Sequence, residues 1–149
     1  MAGGVSIQNL TRRPVTSRLV FSAVAKNVLP GWEISLVFVG ATRARALNKK
    51  LRGKNYVPNV LSYTLSDKNA EIIICPSEAE KQAPSYAMST RVFTTYLFIH
   101  GVLHIKGWVH GATMEQCEQK LLARYEATHS HRHRHRHLPG KDGRRRGAL

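Results

Sequence analysis

The sequence is short of acidic residues. Nine aspartates and glutamates stand against 23 lysines and arginines among 149 residues, which gives a formal net charge of +14. The excess is not confined to the C-terminal end, because residues 1–128 contain sixteen basic and eight acidic residues. A body this basic favours a polyanionic partner such as nucleic acid. The alternative, that the charge only keeps the protein in solution, stays open at this point.

Cysteine and long apolar runs are also scarce. Cys75 and Cys117 are the only cysteines, so we expect neither a disulfide framework nor a cysteine-based zinc site, and both thiols should be reduced and packed. No apolar run reaches the ~20 residues that span a bilayer, and the N-terminus lacks the apolar core of a signal peptide. We therefore expect no membrane association and a cytoplasmic location.

The order of the apolar patterns predicts one α+β domain, a small mixed β-sheet packed with helices. Strands are predicted at residues 5–10, 33–39, 60–65 and 71–75, and helices at residues 14–28, 42–51, 76–82, 90–106 and 114–125. Pro14 would open the first helix, and Leu19 would lie on its buried face. Thr42 and Thr113 would cap the second and the last helix.

Residues 129–149 differ in composition from the rest of the chain. Histidine and arginine alternate from His131 to His137, and this composition cannot build a core. We therefore predict a folded domain at residues 1–128 and a disordered, basic His/Arg-rich tail at residues 129–149. The positive charges of its arginines repel a bound metal cation. We therefore interpret the tail first as an RNA-binding arm and only second as a metal-binding tract.

Three histidines lie close together in the segment 98–111, FIHGVLHIKGWVHG. His100 and His104 are four residues apart, so they project from one face of a helix. Gly107 stands where a helix commonly ends, since glycine enters the left-handed cap at little cost. The chain can turn there and bring His110 up to the first two imidazoles. Three imidazoles with an open fourth position are typical of a catalytic zinc site.

A glutamate is missing from the position after the first histidine. The spacing H-x3-H-x2-G-x2-H is also that of metzincin peptidases, in which a glutamate follows the first histidine and acts as the general base. Gly101 occupies that position here. A peptidase with glycine there would lack its proton acceptor, which weakens this interpretation.

Two motifs together resemble the YbeY family of metal-dependent endoribonucleases that mature ribosomal RNA. The first is the histidine motif, in which the matching residues are His100, Gly101, Leu103, His104, Gly107, Trp108 and His110. The second is the block of residues 47–52, LNKKLR, followed by residues 58–63, PNVLSY. The resemblance runs from about Ile34 to Tyr125. The chain departs from the family pattern at Val109, where an aspartate is usual.

The resemblance implies a site and a reaction. His100, His104 and His110 would bind one Zn²⁺, although Ni²⁺ or another divalent transition metal would also suit three imidazoles. Arg52 matches the arginine that is essential in the family and would bind the scissile phosphate. Further RNA contacts are predicted for the basic residues around it, Arg43, Lys49, Lys50 and Lys54.

The expected function is cleavage of single-stranded RNA in ribosomal RNA maturation, at the 3′ end of 16S RNA, and in ribosome quality control. The ribosome or its small subunit would be the partner. Two alternatives stay open: a non-catalytic metal-containing protein that binds RNA or the ribosome, and a metallohydrolase with another class of substrate.

Overall fold

A computed structural model of the chain describes residues 3–15 and 18–126. The elements in chain order are β1 (Gly4–Asn9), α1 (Arg18–Val28), β2 (Glu33–Phe38), α2 (Ala41–Arg52), β3 (Val60–Ser66), β4 (Asn69–Ile74), α3 (Pro76–Gln82), α4 (Thr90–Lys106) and α5 (Ala112–Glu126), with a short 3₁₀ helix at Ala83–Tyr86. The predicted boundary at residue 128 and the whole tail lie outside the described residues. No described helix is long and apolar enough to cross a membrane.

The four strands form one mixed sheet in the order β1-β2-β4-β3. β1, β2 and β4 are parallel, and β3 pairs with β4 in the antiparallel direction. The crossover from β1 to β2 runs through α1, as a parallel connection requires. The predicted α+β fold with a small mixed sheet is confirmed.

Helices cover the two faces of the sheet unequally. Alternate side chains of a strand point to opposite faces, so Ile72 and Ile73 of β4 belong to different cores. Ile72 lies in the larger core, which α1, α4 and α5 share, whereas Ile73 lies in the smaller core with Ala44 and Leu47 of α2. The helix that carries two of the histidines and the helix that carries Arg52 therefore pack on opposite faces of the sheet.

The first helix differs from its prediction. It begins at Arg18 rather than at Pro14, with residues 16 and 17 outside the described part. Leu19 was expected to be buried but is 86% exposed. The buried face is set by Phe21, Val24 and Val28, and a residue two positions before Phe21 lies about 200° away around the helix.

Two predicted helix caps are also wrong. α2 begins one residue before Thr42, because Ala44 N–H already donates to Gly40 C=O at 2.9 Å. α5 likewise begins before Thr113, because Glu115 N–H donates to Gly111 C=O at 3.0 Å. In both helices the backbone bond to a glycine carbonyl starts the helix, and the threonine lies inside it.

Helix α4 forms as the sequence predicts and positions the site. Ser89 caps it by accepting the Val92 N–H at 3.1 Å, and Gly107 ends it with φ of 108°. Gly101 brings it close to the sheet, since a Cβ there would lie 3.3 Å from Ile72. The C-terminal half of α4 is thus held on β4 while the chain turns back after Gly107.

Candidate metal centre

Three imidazoles meet at the C-terminal end of α4. His100 and His104 lie one turn apart on that helix, and His110 follows the left-handed turn at Gly107. Their ligand atoms all lie within 4.8 Å of one another. His100 is wholly buried, His104 is half-buried and His110 is exposed. The predicted convergence of the three histidines is confirmed, and the cluster opens to solvent on the His110 side.

The distances between the rings suit a tetrahedral metal ion. His104 Nε2 lies 3.2 Å from His100 Nε2 and 3.2 Å from His110 Nε2. Nitrogen ligands at 2.0–2.1 Å from a tetrahedral zinc would be about 3.3 Å apart. Two of the three Nε2 pairs therefore have the spacing of ligands on a metal of this size.

The outer nitrogens of two rings have acceptors that set the tautomer. His100 Nδ1 lies 2.5 Å from Glu118 Oε2, and His104 Nδ1 lies 3.1 Å from the Trp108 carbonyl oxygen. Because both partners can accept, a neutral imidazole at either position would carry its proton on Nδ1 and present its lone pair on Nε2. In that neutral state two Nε2 lone pairs would face each other at 3.2 Å, an arrangement that a cation bound between them stabilises. This arrangement of the ring nitrogens is the strongest structural support for a metal site.

Glu118 is the residue that sequence reasoning missed. It is wholly buried, and its second oxygen accepts from the Tyr96 hydroxyl at 3.2 Å. Its signal in the sequence was the spacing of Met114, Glu118 and Leu122, which are all buried on one stripe of α5. A carboxylate on an apolar helical stripe indicates a buried partner, and here that partner is His100, one of the three candidate ligands.

Position 101 cannot supply the general base of a peptidase. Gly101 is buried, and a Cβ there would meet the side chain of Ile72 in β4. A glutamate would have to enter the packed interface between α4 and the sheet. Among the described residues, the ligand cluster consists of three imidazoles and contains no carboxylate. At position 101, therefore, neither the sequence nor the structure provides the base that the metzincin-like alternative needs.

The predicted RNA-binding residues all lie on or just after α2. Arg43, Lys49, Lys50, Arg52 and Lys54 are exposed. Arg52 bonds within its own segment, to Asn48 and Tyr56. The structure thus brings the basic residues together on one helix, whereas the histidines are brought together on another. Their roles in RNA binding stay predictions.

A cavity of about 230 Å³ lies at the other end of α4, against Thr90, Arg91 and Thr94. It contains none of the predicted site residues. Both arginines in its wall are already paired, Arg13 with Glu80 at 2.7 Å and Arg91 with Glu126 at 2.6 Å. The cavity therefore offers little free positive charge to a nucleic-acid backbone.

Comparison with known proteins assigns the chain. The family model described as Endoribonuclease YbeY matches residues 5–132. The chain belongs to the YbeY family. The predicted family resemblance is confirmed, and the three histidines lie in the region that this YbeY model covers.

Several YbeY relatives are similar over most of their length. The Endoribonuclease YbeY of Herminiimonas arsenicoxydans is 31% identical over 127 residues, which cover 78% of this chain and 79% of that protein. The Endoribonuclease YbeY of Geobacillus kaustophilus is 32% identical over 130 residues, which cover 74% of this chain and 83% of that protein. These relatives are named for cleavage within RNA chains.

A solved structure supports the fold. The solution structure of TM1509 from Thermotoga maritima matches with a TM-score of 0.62 and 21% identity, covering 92% of this chain and all of that one. At this identity the likeness concerns the fold alone. The YbeY assignment rests on the sequence comparisons.

Proposed function

We propose that this chain is a metal-dependent endoribonuclease that cleaves single-stranded RNA at the site formed by His100, His104 and His110. Membership of the YbeY family confirms the predicted reaction class, hydrolysis of RNA phosphodiester bonds. The observation that carries the proposal is the convergence of three Nε2 atoms: His104 Nε2 lies 3.2 Å from each of the other two, and the Nδ1 atoms of His100 and His104 already face acceptors.

Zn²⁺ is the proposed metal, one per chain. Three neutral imidazoles and an open fourth position are typical of catalytic zinc, while Ni²⁺ or another divalent transition metal would also suit the same ligands. When bound, such an ion lowers the pKa of a bound water toward about 7 and polarises a phosphoryl oxygen.

The protein's own residues orient the candidate ligands and position the substrate. Glu118 and the Trp108 carbonyl hold the rings of His100 and His104 with Nε2 inward. Arg52 is the proposed partner of a substrate phosphate, because a guanidinium matches phosphate oxygens in a bidentate way. Arg43, Lys49, Lys50 and Lys54 are proposed to attract the rest of the RNA backbone.

Within the cell we propose a cytoplasmic role in the maturation of ribosomal RNA, at the 3′ end of 16S RNA, and in ribosome quality control. The small ribosomal subunit is the proposed partner. The family resemblance and the formal charge of +14 support a ribonucleoprotein substrate, which is strongly anionic.

The test is a single ligand substitution in the full-length protein. We expect His104→Ala to abolish cleavage of single-stranded RNA and to lower the metal content by about one ion per chain. Its thermal unfolding with chelator present and its RNA affinity should match those of the wild type. Gln116→Ala, an exposed change on α5, is the matched control. A chain whose five tail histidines are replaced by asparagine shows how much metal belongs to the tail.

The outcomes separate the proposed enzyme from its alternatives. RNA binding without cleavage by the zinc-loaded wild type would favour a non-catalytic RNA-binding protein. Equal metal content in the wild type and His104→Ala would overturn the three-histidine site. Cleavage that survives His104→Ala would place the active site elsewhere.

A further inference from the structure

Arg52 is held by two neutral groups. Its Nη1 donates to Asn48 Oδ1 at 3.1 Å and to the Tyr56 hydroxyl at 3.1 Å. Nη1 carries two N–H groups, so these two bonds use both of them. An exposed arginine normally samples many rotamers, and fixing them costs side-chain entropy. The two hydrogen bonds to Nη1 restrict these rotamers in the free protein, so less side-chain entropy is lost when a ligand binds.

Asn48 makes this anchor rigid. Its side chain is wholly buried in α2, unlike the exposed lysines that follow it. Its Nδ2 donates to the Tyr56 carbonyl at 3.0 Å, while its Oδ1 accepts from Arg52. One buried amide therefore ties the loop after α2 to the helix and at the same time orients the guanidinium.

The opposite edge of the guanidinium stays available. With Nη1 used by Asn48 and Tyr56, three N–H groups remain, one on Nε and two on Nη2. Among the described residues these groups have no hydrogen bond or ion pair. The Nε–H and one Nη2–H lie side by side, in the fork that binds two oxygens of one phosphate.

The anchor also preserves the charge of Arg52. Arg13 and Arg91 are paired with the carboxylates of Glu80 and Glu126, which neutralise them. Arg52 is anchored by an amide and a phenol, which orient the guanidinium without neutralising it. It is exposed, and its neighbours on α2 include the exposed cations Lys49 and Lys50. An anion would meet a fixed, uncompensated positive charge.

We propose that Asn48 and Tyr56 are positioning residues, which hold Arg52 so that its Nε/Nη2 edge binds the non-bridging oxygens of one RNA phosphate. The ligand class is a phosphodiester rather than a nucleobase. This inference rests on the proposed function, since it specifies how the protein would recognise the backbone of its RNA substrate.

Tyr56→Phe is the sharpest variant, because it removes one hydroxyl from a residue that is 39% exposed. The bond from Asn48 to the Tyr56 carbonyl is unaffected, so the loop should stay in place. We expect kcat/KM for single-stranded RNA to fall about fivefold, as for one lost hydrogen bond, mainly through KM. Arg52→Ala should lower it about 100-fold, and Arg52→Lys nearly as much, since lysine lacks the fork.

A double-mutant cycle shows whether Tyr56 acts through Arg52. We expect Tyr56→Phe to have no further effect in the Arg52→Ala background, because the hydrogen bond between Tyr56 and Arg52 is then already lost. Equal effects of Tyr56→Phe in both backgrounds would overturn the inference, as would no effect in the wild type. Tyr125→Phe is the matched control, since that hydroxyl bonds Asn27.

A second readout keeps this inference separate from the proposed function. The same cycle is measured as the affinity for a fluorescein-labelled single-stranded RNA in the presence of chelator, where cleavage is not required. If the wild type binds RNA through the coupled pair but never cleaves, the proposed function fails and the positioning inference stands. If the wild type cleaves RNA but the effects of the Tyr56 and Arg52 substitutions on RNA affinity are additive, the proposed function stands and the positioning inference fails.

Discussion

Glu118 Oε2 lies 2.5 Å from His100 Nδ1, with both side chains buried between α4 and α5. The carboxylate comes from a different helix and also accepts from the Tyr96 hydroxyl. An outer acceptor of this kind fixes the orientation of a ligand histidine. The last helix therefore takes part in the candidate metal centre without contributing one of its three imidazoles.

The first prediction concerns this outer acceptor. Glu118→Gln keeps the shape of the side chain but removes its charge, so we expect zinc affinity to fall at least tenfold, within the usual range of 10–100-fold. Competition with a chromophoric chelator measures it. Gln116→Ala, exposed on the same helix, should leave the affinity unchanged. An unaltered affinity in Glu118→Gln would show that the carboxylate only fills space.

A second prediction concerns the close approach of α4 to the sheet. In Gly101→Ala the new methyl group would lie 3.3 Å from two carbons of Ile72, which is wholly buried. Overpacking lowers the free energy of unfolding by about 1–3 kcal/mol, and the better helix propensity of alanine raises it by up to about 1 kcal/mol. We expect a net loss of about 1 kcal/mol, measured by thermal unfolding with chelator present.

The close contact between position 101 and Ile72 can be tested by a double-mutant cycle. Ile72→Val removes one of the two crowded carbons, so it should cost less stability in the Gly101→Ala background than in the wild type. Equal costs in both backgrounds would mean that α4 moves away from β4 instead of straining against it.

A third prediction concerns the Tyr63 phenol, whose hydroxyl donates to Glu71 across β3 and β4. Burial, then the hydrogen bond to Glu71, then the charge of that carboxylate raise the pKa of Tyr63 from 10.0 to about 12. The folded state favours the protonated phenol. Its contribution to stability is therefore present below about pH 10 and is lost as the pH rises through about 12.

Absorbance at 295 nm measures this ionisation. Tyr63→Phe should remove a component that titrates well above pH 10 in the wild type. Glu71→Gln should lower the pKa of Tyr63 while leaving it above 10, because burial is the largest cause. A Tyr63 component that titrates near pH 10 in the wild type would contradict the buried, bonded geometry.

A fourth prediction concerns the basic face of α2. The logarithm of RNA affinity falls with the logarithm of salt concentration by about 0.7 per neutralised phosphate on a single strand. Lys49→Gln combined with Lys50→Gln should therefore reduce the slope by about 1.4. Lys26→Gln combined with Lys120→Gln, exposed on α1 and α5, should leave it unchanged. If both double variants reduce the salt slope equally, the RNA is attracted by the overall positive charge rather than bound along a defined path over α2.

Local pattern was enough for the elements that carry the histidines. The i, i+4 spacing of His100 and His104 and the left-handed glycine at Gly107 depend only on helical geometry, which neighbouring residues impose on one another. The same holds for α3, whose predicted range, residues 76–82, matches the structure. Where the packing partner rather than the pattern decides, the prediction was wrong, as for Leu19.

The sequence alone determined the family, the mixed α+β fold and the three candidate ligands, because these depend on short spacings and apolar periodicity. Only the tertiary structure decided that Glu118, eighteen residues after His100, is the acceptor behind that ligand. It also decided that α2 and α4 lie on opposite faces of the sheet. The physical reason is that burial of a polar group depends on which element packs over it, and that partner is chosen by the whole core.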